Sequence, residues 1–333
     1  MPNNDFNIAR RRLLAGTAAS LAGGLMAMPS RAAAPAWPSK PIRLLVPFPT
    51  GTPPDISSRL VAGHLSPKLG QPVYVENKPG AIGLVSLGEL LRQPADGHTL
   101  YCMLTPVTTA GTLLPAQRVD LQRELQPVSQ VDWVYSVLVV NNDVKASNVK
   151  DFCALLREHP QDYSFGSGGN GTPAHLAGEL FKQQQKVEAT HVPYAQFSQA
   201  VPDLISGRIQ FMFLTSNVAL PLVQSKKIRA LGVVGKERIA GLPDVPTLAE
   251  QGMGDFDTRS WDGIVVKAGT PPAIVQRLNE EIREVLSRPD VAARFTEMGM
   301  VPQASSPQQL GELIQSESTR WAAVIKAANI SVQ

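Results

Sequence analysis

Cysteine is almost missing from this 333-residue chain, with Cys102 and Cys153 its only two. Two thiols cannot staple a chain of this length, and neither stands at metal-ligand spacing. Cys102 lies in the apolar run "TLYCML" and Cys153 in the helical run "VKDFCALLREH", so two separately buried thiols are expected rather than a disulfide. Charge is sparse too, at 18 % of residues with a formal net charge of +3. Arg10, Arg11, Arg12 and Arg31 outnumber Asp5 in the first 34 residues, which leaves the rest of the chain close to neutral. It offers no basic field for nucleic acid or anionic membrane. No stretch supplies the roughly 18 apolar residues of a membrane span. His64, His98, His159, His175 and His191 show no H-E-x-x-H or other ligand spacing, so no metal or cofactor is expected. No G-x-S-x-G occurs. Ser147-x-x-Lys150, Ser216-Asn217 and Lys267-Ala268-Gly269 only faintly echo a serine acyl-transferase set. Metallohydrolase and serine-hydrolase chemistry therefore find no support, and no enzyme activity is expected.

What is present begins with an export signal. Three arginines precede an apolar stretch, Leu13 to Met28, and small residues follow. Residues 1–34 read as a signal peptide cleaved near Ala34 or Ala36, using the Sec or the twin-arginine route to the periplasm. The remaining chain alternates strand-like and helix-like runs, which predicts an α/β protein with mostly parallel sheet. "IRLLVPF" reads as a strand and residues 56–65 as a helix. "QPVYVEN", "DGHTLYCML", "VYSVLVVNN", "DYSFGSGG", "EATHVPY", "IQFMFLT", "IRALGVV" and "SWDGIVVKAGTPP" read as further strands. Helices are expected at about 84–91, in "SNVKDFCALLREHP" capped by Ser147, in "TPAHLAGELFKQQQ" with Thr172 as N-cap, and at about 198–206. Two more, "PAIVQRLNEEIREVLS" and "PQQLGELIQSESTRWAAVIKAA", close the chain.

Two strand–loop–helix turns carry the functional signal. "LLVPFPTGTPPDISSRL" places Phe48, Pro49, Gly51 and Thr52 before a helix whose start holds Asp55. Such a turn suits an anion, yet the aspartate would repel one. Asp55 reads either as an N-cap or as a pocket group accepting hydrogen bonds from the non-acid end of a ligand. It has no neighbouring carboxylate in sequence with which to do acid–base work. "FGSGGNGTPAHL" sets Gly166, Gly168 and Gly171 at G-x-G-x-x-G spacing, with Glu188 following. A nucleotide- or dinucleotide-binding enzyme is the alternative this outline allows. The loop lies mid-chain, however, and its third glycine precedes a Thr-Pro helix start. Free N–H groups at a helix N-terminus remain in either case. His175 and His191 adjoin this loop, and Trp261 reads as core or as pocket lining.

The motifs "WPSKPIRLLVPFPTGTPPD", "LGQPVYVENKPGA", "DGHTL", "GSGGNGTPAHLAGELFK", "HVPY", "LPDVPTLAEQG" and "SWDGIVVKAGTP" together resemble the extracytoplasmic solute receptors of tripartite tricarboxylate transporters, the Bug proteins. The likeness runs from about Trp37 to Ile330. It implies a type II periplasmic-binding-protein fold, two α/β lobes joined by two crossover strands with a ligand cleft between them. The lobes would be 35–138 with 263–333, and 139–262, with crossovers near 137–141 and 260–266. It also implies a monomeric periplasmic receptor that binds a small organic carboxylate for membrane permease subunits, or a sensor-coupled receptor of the same fold. The implied ligand-binding residues are Phe48, Pro49, Gly51, Thr52 and Asp55, then Gly80 and Ala81. From the other lobe come Ser167, Gly168, Gly171, Thr172, His175, Tyr194, Thr215 and Trp261.

The chain departs from the family pattern at Thr50 and Thr52, at Ile82, Gly83, Leu84 and Val85, at Ala195 and Gln196, and at Leu214 and Thr215. Leu84 and Leu214 suggest a more apolar pocket, suited to an aromatic or aliphatic monocarboxylate.

Overall fold

The computed structural model describes residues 37–194, 197–254 and 256–332. The expected export signal, and Ala195 and Gln196, lie outside them. The elements below belong to one compact unit, Lys40–Gln333.

Three strand–helix repeats open the fold: β1 (Ile42–Val46) and α1 (Pro53–Leu69), β2 (Val73–Asn77) and α2 (Leu84–Arg92), β3 (Thr99–Leu104) and α3 (Thr105–Leu113). β4 (Leu125–Val134) then runs through Tyr135 into β5 (Ser136–Val140). There follow α4 (Val149–Glu158), β6 (Ser164–Ser167), α5 (Pro173–Gln185), β7 (Thr190–Pro193), α6 (Phe197–Ile205), β8 (Phe211–Thr215), α7 (Ser216–Gln224) and β9 (Arg229–Val234). β10 (Ser260–Lys267), α8 (Pro272–Leu286), α9 (Pro289–Glu297), β11 (Met300–Pro302) and α10 (Pro307–Ala327) complete the chain.

The strands form two sheets, ordered β11-β4-β10-β3-β1-β2 and β7-β6-β8-β5-β9. β1 is parallel to β2 and β3, and β6 to β7 and β8. β10 runs antiparallel to both β3 and β4, and β5 to both β8 and β9. The sheets are therefore mixed rather than mostly parallel, because β5 and β10 each come in from the other sheet and run against their new neighbours. The chain changes sheet at Tyr135 and again across residues 235–259. The expected boundaries after 138 and 262 fall inside β5 and β10, each of which belongs wholly to one sheet.

β5 shows why an apolar run with no polar face becomes a strand here. Leu138 and Val140 enter one core, beneath α4 and α5, while Val137 and Val139 enter another, beneath α6 and α7. A strand buried on both faces reads as continuous hydrophobicity. The first of these cores is aromatic: Phe152 meets Phe211 edge-on at 5.1 Å, and Phe165 stacks on Phe211 at 5.4 Å. Gly178 lets α5 lie directly on that layer, since a Cβ there would stand 2.2 Å from Phe165. Cys102 and Cys153 are both free and buried.

α10 is capped by a reciprocal Ser306–Gln309 box, with Pro307 at its first position. Its buried stripe of Leu310, Ile314, Glu317, Trp321, Val324 and Ile325 follows helical spacing. Trp321, Val324 and Ile325 join the aromatic core of the second sheet, together with Leu113 of α3. α10 also packs on β4 and α3, so one helix rests on both sheets. The cap of α4 is Asn148, which accepts from the Asp151 N–H; Ser147, expected there, bonds the Asp151 carboxylate instead.

Candidate functional site

Loop 1, between β1 and α1, is organised from beneath by Asp55. Thr52 occupies the N-cap and Pro53 and Pro54 the next two positions, so Asp55 is the third helical residue and not the cap. Its carboxylate reaches back to accept from Gly51 N at 2.9 Å, Asn77 Nδ2 at 2.9 Å and Arg59 Nε at 2.9 Å. Asn77, at the end of β2, also donates to the Phe48 carbonyl and accepts from Arg59 and from the Thr50 hydroxyl. The Thr52 hydroxyl donates to the Pro49 carbonyl. Asp55 is 2 % exposed. Burial alone would raise its carboxyl, but the Arg59, Gly51 and Asn77 hydrogen bonds prevail and hold it below the usual range. Two prolines without N–H groups and one internally bonded carboxylate leave the start of α1 poor in anion donors. Loop 1 is thus a shaped wall in which Thr50, Thr52 and Asp55 spend their polar groups on the loop itself. Asn77 and Arg59, which sequence reasoning did not single out, complete it; the quoted "ENKPGA" already contained Asn77.

The β2–α2 turn holds four consecutive positive φ values: Gly80 (137°), Ala81 (46°), Ile82 (56°) and Gly83 (94°). Left-handed backbone is unfavourable for a β-branched residue, yet Ile82 adopts it and packs on the aromatic core. Gly83 has no room for a side chain, because an added Cβ would meet Val107, the Tyr101 hydroxyl and Pro47 within 3.2 Å. Gly80 and Ala81 are exposed on this turn.

Loop 2, between β6 and α5, is built around two stacked imidazoles. The His175 and His191 rings lie 3.7 Å apart at an interplanar angle of 8°, with Phe165 behind them. Gly171 N donates to His175 Nδ1 at 3.0 Å, which places the His175 proton on Nε2, 3.9 Å from Glu179. His191 Nε2 meets the Ser167 hydroxyl at 2.7 Å, and that hydroxyl also accepts from Gly169 N. Thr172 Oγ1 closes the turn onto the Gly169 carbonyl. Ser167 is fully buried, so the Ser–His pair shapes the loop rather than presenting a nucleophile. Tyr194 is tied to Ser167 through its backbone N–H and to Asp203 through its hydroxyl, whose pKa is pushed up to about 12 by burial and that carboxylate.

Gly171, the third glycine of the dinucleotide-like outline, is buried. An added Cβ would stand 2.5 Å from Leu113, so apolar side chains occupy the approach a pyrophosphate would need. The free donors of this loop are instead the first-turn N–H groups of α5, including those of Ala174 and His175, with no acidic residue in that turn.

Burial lowers both imidazole pKa values, to about 4 for His175 and about 3 for His191, with Lys182 adding to the effect. Unfolded histidine titrates near 6.5. The unfolded chain therefore binds more protons between pH 6.5 and about 4, and stability falls as pH drops through that window. Thermal melting should show a loss of a few degrees from pH 7 to pH 4.5. His191→Gln, which can still bond Ser167 without titrating, should flatten part of that fall. Parallel profiles for the two proteins would contradict the assignment.

Of the remaining expected residues, Thr215 is the N-cap of α7. Trp261 is fully buried, paired in register with Trp133, and its Nε1 has no hydrogen-bond partner among the described residues. Leu214 does not line a pocket. It is 0 % exposed in the core beneath α6 and α7, because strand alternation turns it inward. Leu84 is half-buried at the rim of a groove of about 920 Å³ between α3 and α10, which none of the loop residues lines. Among the described residues no hydrogen bond joins loop 1 to loop 2.

At the crossover, Arg259 stacks 4.2 Å over Trp133 and 5.5 Å over Tyr135 while bonding Asp257 through Nε and a terminal nitrogen. Arg320 of α10 donates to the Asp257 carbonyl. Both passages between the sheets are thereby tied to one another and to α10.

Comparison with known proteins agrees with this architecture. Residues 57–330 match the tripartite tricarboxylate transporter family receptor (TctC). The chain is 35 % identical over 321 residues to the "UPF0065 protein in tcbD-tcbE intergenic region" of Pseudomonas sp. (strain P51), covering 96 % of this chain and 94 % of that relative. The solved structure "R. palustris Rpa4515 with adipate" superposes with a TM-score of 0.79 at 30 % identity, over 89 % of this chain and 99 % of the other. "MatC (Rpa3494) from Rhodopseudomonas palustris with bound malate" gives 0.75 at 27 % identity, over 87 % and 100 %. With its two mixed sheets, its paired crossovers and a match through most of its length, this chain belongs to the receptor family of the tripartite tricarboxylate transporters.

Proposed function

We propose that the protein is a periplasmic solute receptor that captures a small organic carboxylate and delivers it to membrane permease subunits. Its two sheets would act as lobes closing on the ligand about the passages at Tyr135 and 235–259. The observation that carries this reading is similarity, over 89 % and 87 % of the chain, to structures holding adipate and malate, two carboxylates. The site chemistry supports it. The first turn of α5 offers N–H groups and a positive dipole end to an anion, whereas α1 begins with two prolines and an acid. Loop 2, shaped from beneath by Ser167, would hold the carboxylate through Gly168, Thr172 and the α5 N-terminus. Loop 1 and the Gly80–Ala81 turn would shape the opposite wall. A receptor of this kind needs no catalytic group and no cofactor and works as a monomer. No helix among the described residues is long and apolar enough to cross a membrane; in this reading a separate permease carries the ligand across.

Leu214 is core and does not make the site more apolar, so the ligand class is carboxylate, mono- or dicarboxylate alike. A thermal-shift screen separates them, using adipate, malate, hexanoate and benzoate beside NAD and ATP. At 100-fold excess over Kd, a true ligand should add about 2.7 kcal/mol of stability. Micromolar binding corresponds to about 8 kcal/mol, within reach of a few charge-assisted contacts plus burial. Stabilisation by a nucleotide and by none of the carboxylates would overturn the reading.

A further inference from the structure

Asp132 and Asp262 stand directly opposite each other in the β4–β10 ladder and are 0 % and 3 % exposed. Two carboxylates at facing antiparallel positions repel, and water is excluded here. Ser57 Oγ of α1 lies 3.2 Å from Asp262 Oδ2 but also within reach of the Pro54 carbonyl. Neither Asp132 oxygen has a donor in full hydrogen-bond geometry among the described residues; the Ser57 hydroxyl and the Asp262 backbone N–H are the donors that act on it. Two facing buried carboxylates with so few donors between them are costly when charged, and a proton held between the two side chains relieves the cost. One acid then donates to the other, and both are satisfied.

The placement gives that proton a consequence. Asp132 lies three residues before Tyr135, where the chain passes into the second sheet. Asp262 is the third residue of β10, just after the chain returns. Immediately beyond the pair the ladder is irregular, with Gly263 facing Gln130 so that Val131 bulges out. Regular pairing is therefore limited to the short segment in which the acids sit. Through Ser57 the pair also touches α1, two residues from the carboxylate that shapes loop 1.

We propose that Asp132 and Asp262 share one proton and form a pH-sensitive clasp between the two strands that lead into and out of the second sheet, so that losing the proton loosens their pairing beside the crossover.

The surroundings favour retention of the proton. Burial, then the facing Asp262, pushes Asp132 well above the usual carboxylate range, and burial pushes Asp262 up to about 7. The facing groups on α1 are Ser57, Ser58 and Asp55, the last neutralised by Arg59. On β3 there is Cys102, its own thiol raised by burial and by the acids. On β11 Pro302 lies opposite Asp132. The groups acting on Asp262 are Ser57 and Asp132, with no Lys, Arg or His among them. Unfolded aspartate titrates near 3.9, so the folded chain holds more protons from about pH 4 upward. The pair is fully protonated at acidic pH. Asp262 releases the first proton near 7, which leaves the single shared proton, and Asp132 holds that one to well above 7. Stability is therefore lost as pH rises, opposite in sign to the imidazole pair.

Hydrogen exchange read by mass spectrometry on the whole protein tests this without any ligand. Between pH 8 and pH 11, where the last shared proton leaves, and after correction for intrinsic exchange, peptides covering 125–134 and 260–267 should lose about tenfold in protection, the equivalent of one pKa unit. Peptides over β6 and β7 should not. Asp262→Asn supplies an amide donor to Asp132 with no titrating proton and should abolish the loss. Asp132→Asn is the mirror arrangement, should behave alike, and serves if the first variant does not fold. On the wild type alone, infrared difference spectra over the same pH range should show a buried protonated-carboxyl band disappearing. An unchanged protection pattern in the wild type, an equal loss in the variants, or no carboxyl band would each overturn the clasp.

Discussion

Asp55→Ala is expected to destabilise the protein by about 3 kcal/mol. The carboxylate accepts from Gly51, Asn77 and Arg59 while almost wholly buried. Hydrogen bonds to a charged acceptor are each worth about 1.5–3 kcal/mol. The Arg59 partner is 48 % exposed, so its share is closer to that of a surface pair, about 0–1 kcal/mol. For a chain of this size the melting temperature should fall by roughly 6–12 °C, at about 2–4 °C per kcal/mol. Asn77→Ala breaks the same network, so the double variant should cost clearly less than the sum of the single ones. Additive effects would show that the two side chains act apart. Carboxylate affinity distinguishes the roles of Asp55: a stability loss with unchanged affinity leaves it only as a builder of loop 1, whereas a fall in both makes the loop's shape part of recognition.

Trp321→Ala should have the largest single effect on stability, about 3–5 kcal/mol, the range for truncating a buried tryptophan. Trp321 is 1 % exposed, joins the aromatic core of the second sheet from a helix that also covers the first, and donates to Glu317 at 2.9 Å. Removing it opens a cavity where the two halves share packing and leaves the mostly buried Glu317 to Arg320 alone. Trp321→Phe keeps most of the volume and should cost less than half as much. Chemical denaturation of the three proteins checks this; equal midpoints for the alanine variant and wild type would show that α10 does not weld the sheets.

These effects were unequally legible in the sequence. The β1–loop–α1 and β6–loop–α5 turns could be read because proline, glycine and an apolar run mark them locally. The helix of loop 1 begins three residues earlier than its apolar periodicity suggested, since Pro53 and Pro54 fit the first helical turn. β4 escaped notice. Its Gln126, Pro127, Ser129, Gln130 and Asp132 look like loop, yet the strand lies between β10 and β11 with its polar groups met by Ser305 and Asn279 from distant segments. Tertiary partners overrode local propensity there. The same gap hid the acid pair, because Asp132 and Asp262 are far apart in sequence and meet only through strand register. The Leu214 reading failed for a related reason. A departure from a family pattern marks a position as different, but only the alternation of β8 decides which way its side chain faces.

The most direct test of the central claim is a titration of the 15N-labelled protein with adipate, followed by amide chemical shifts. A carboxylate held at loop 2 should move the amide signals of Gly168, Ala174 and His175 saturably, with smaller shifts at Thr50 and Ala81 as the opposite wall closes. Saturable binding that leaves all five signals in place would contradict the site, and no response to adipate, malate or any monocarboxylate would contradict the receptor itself.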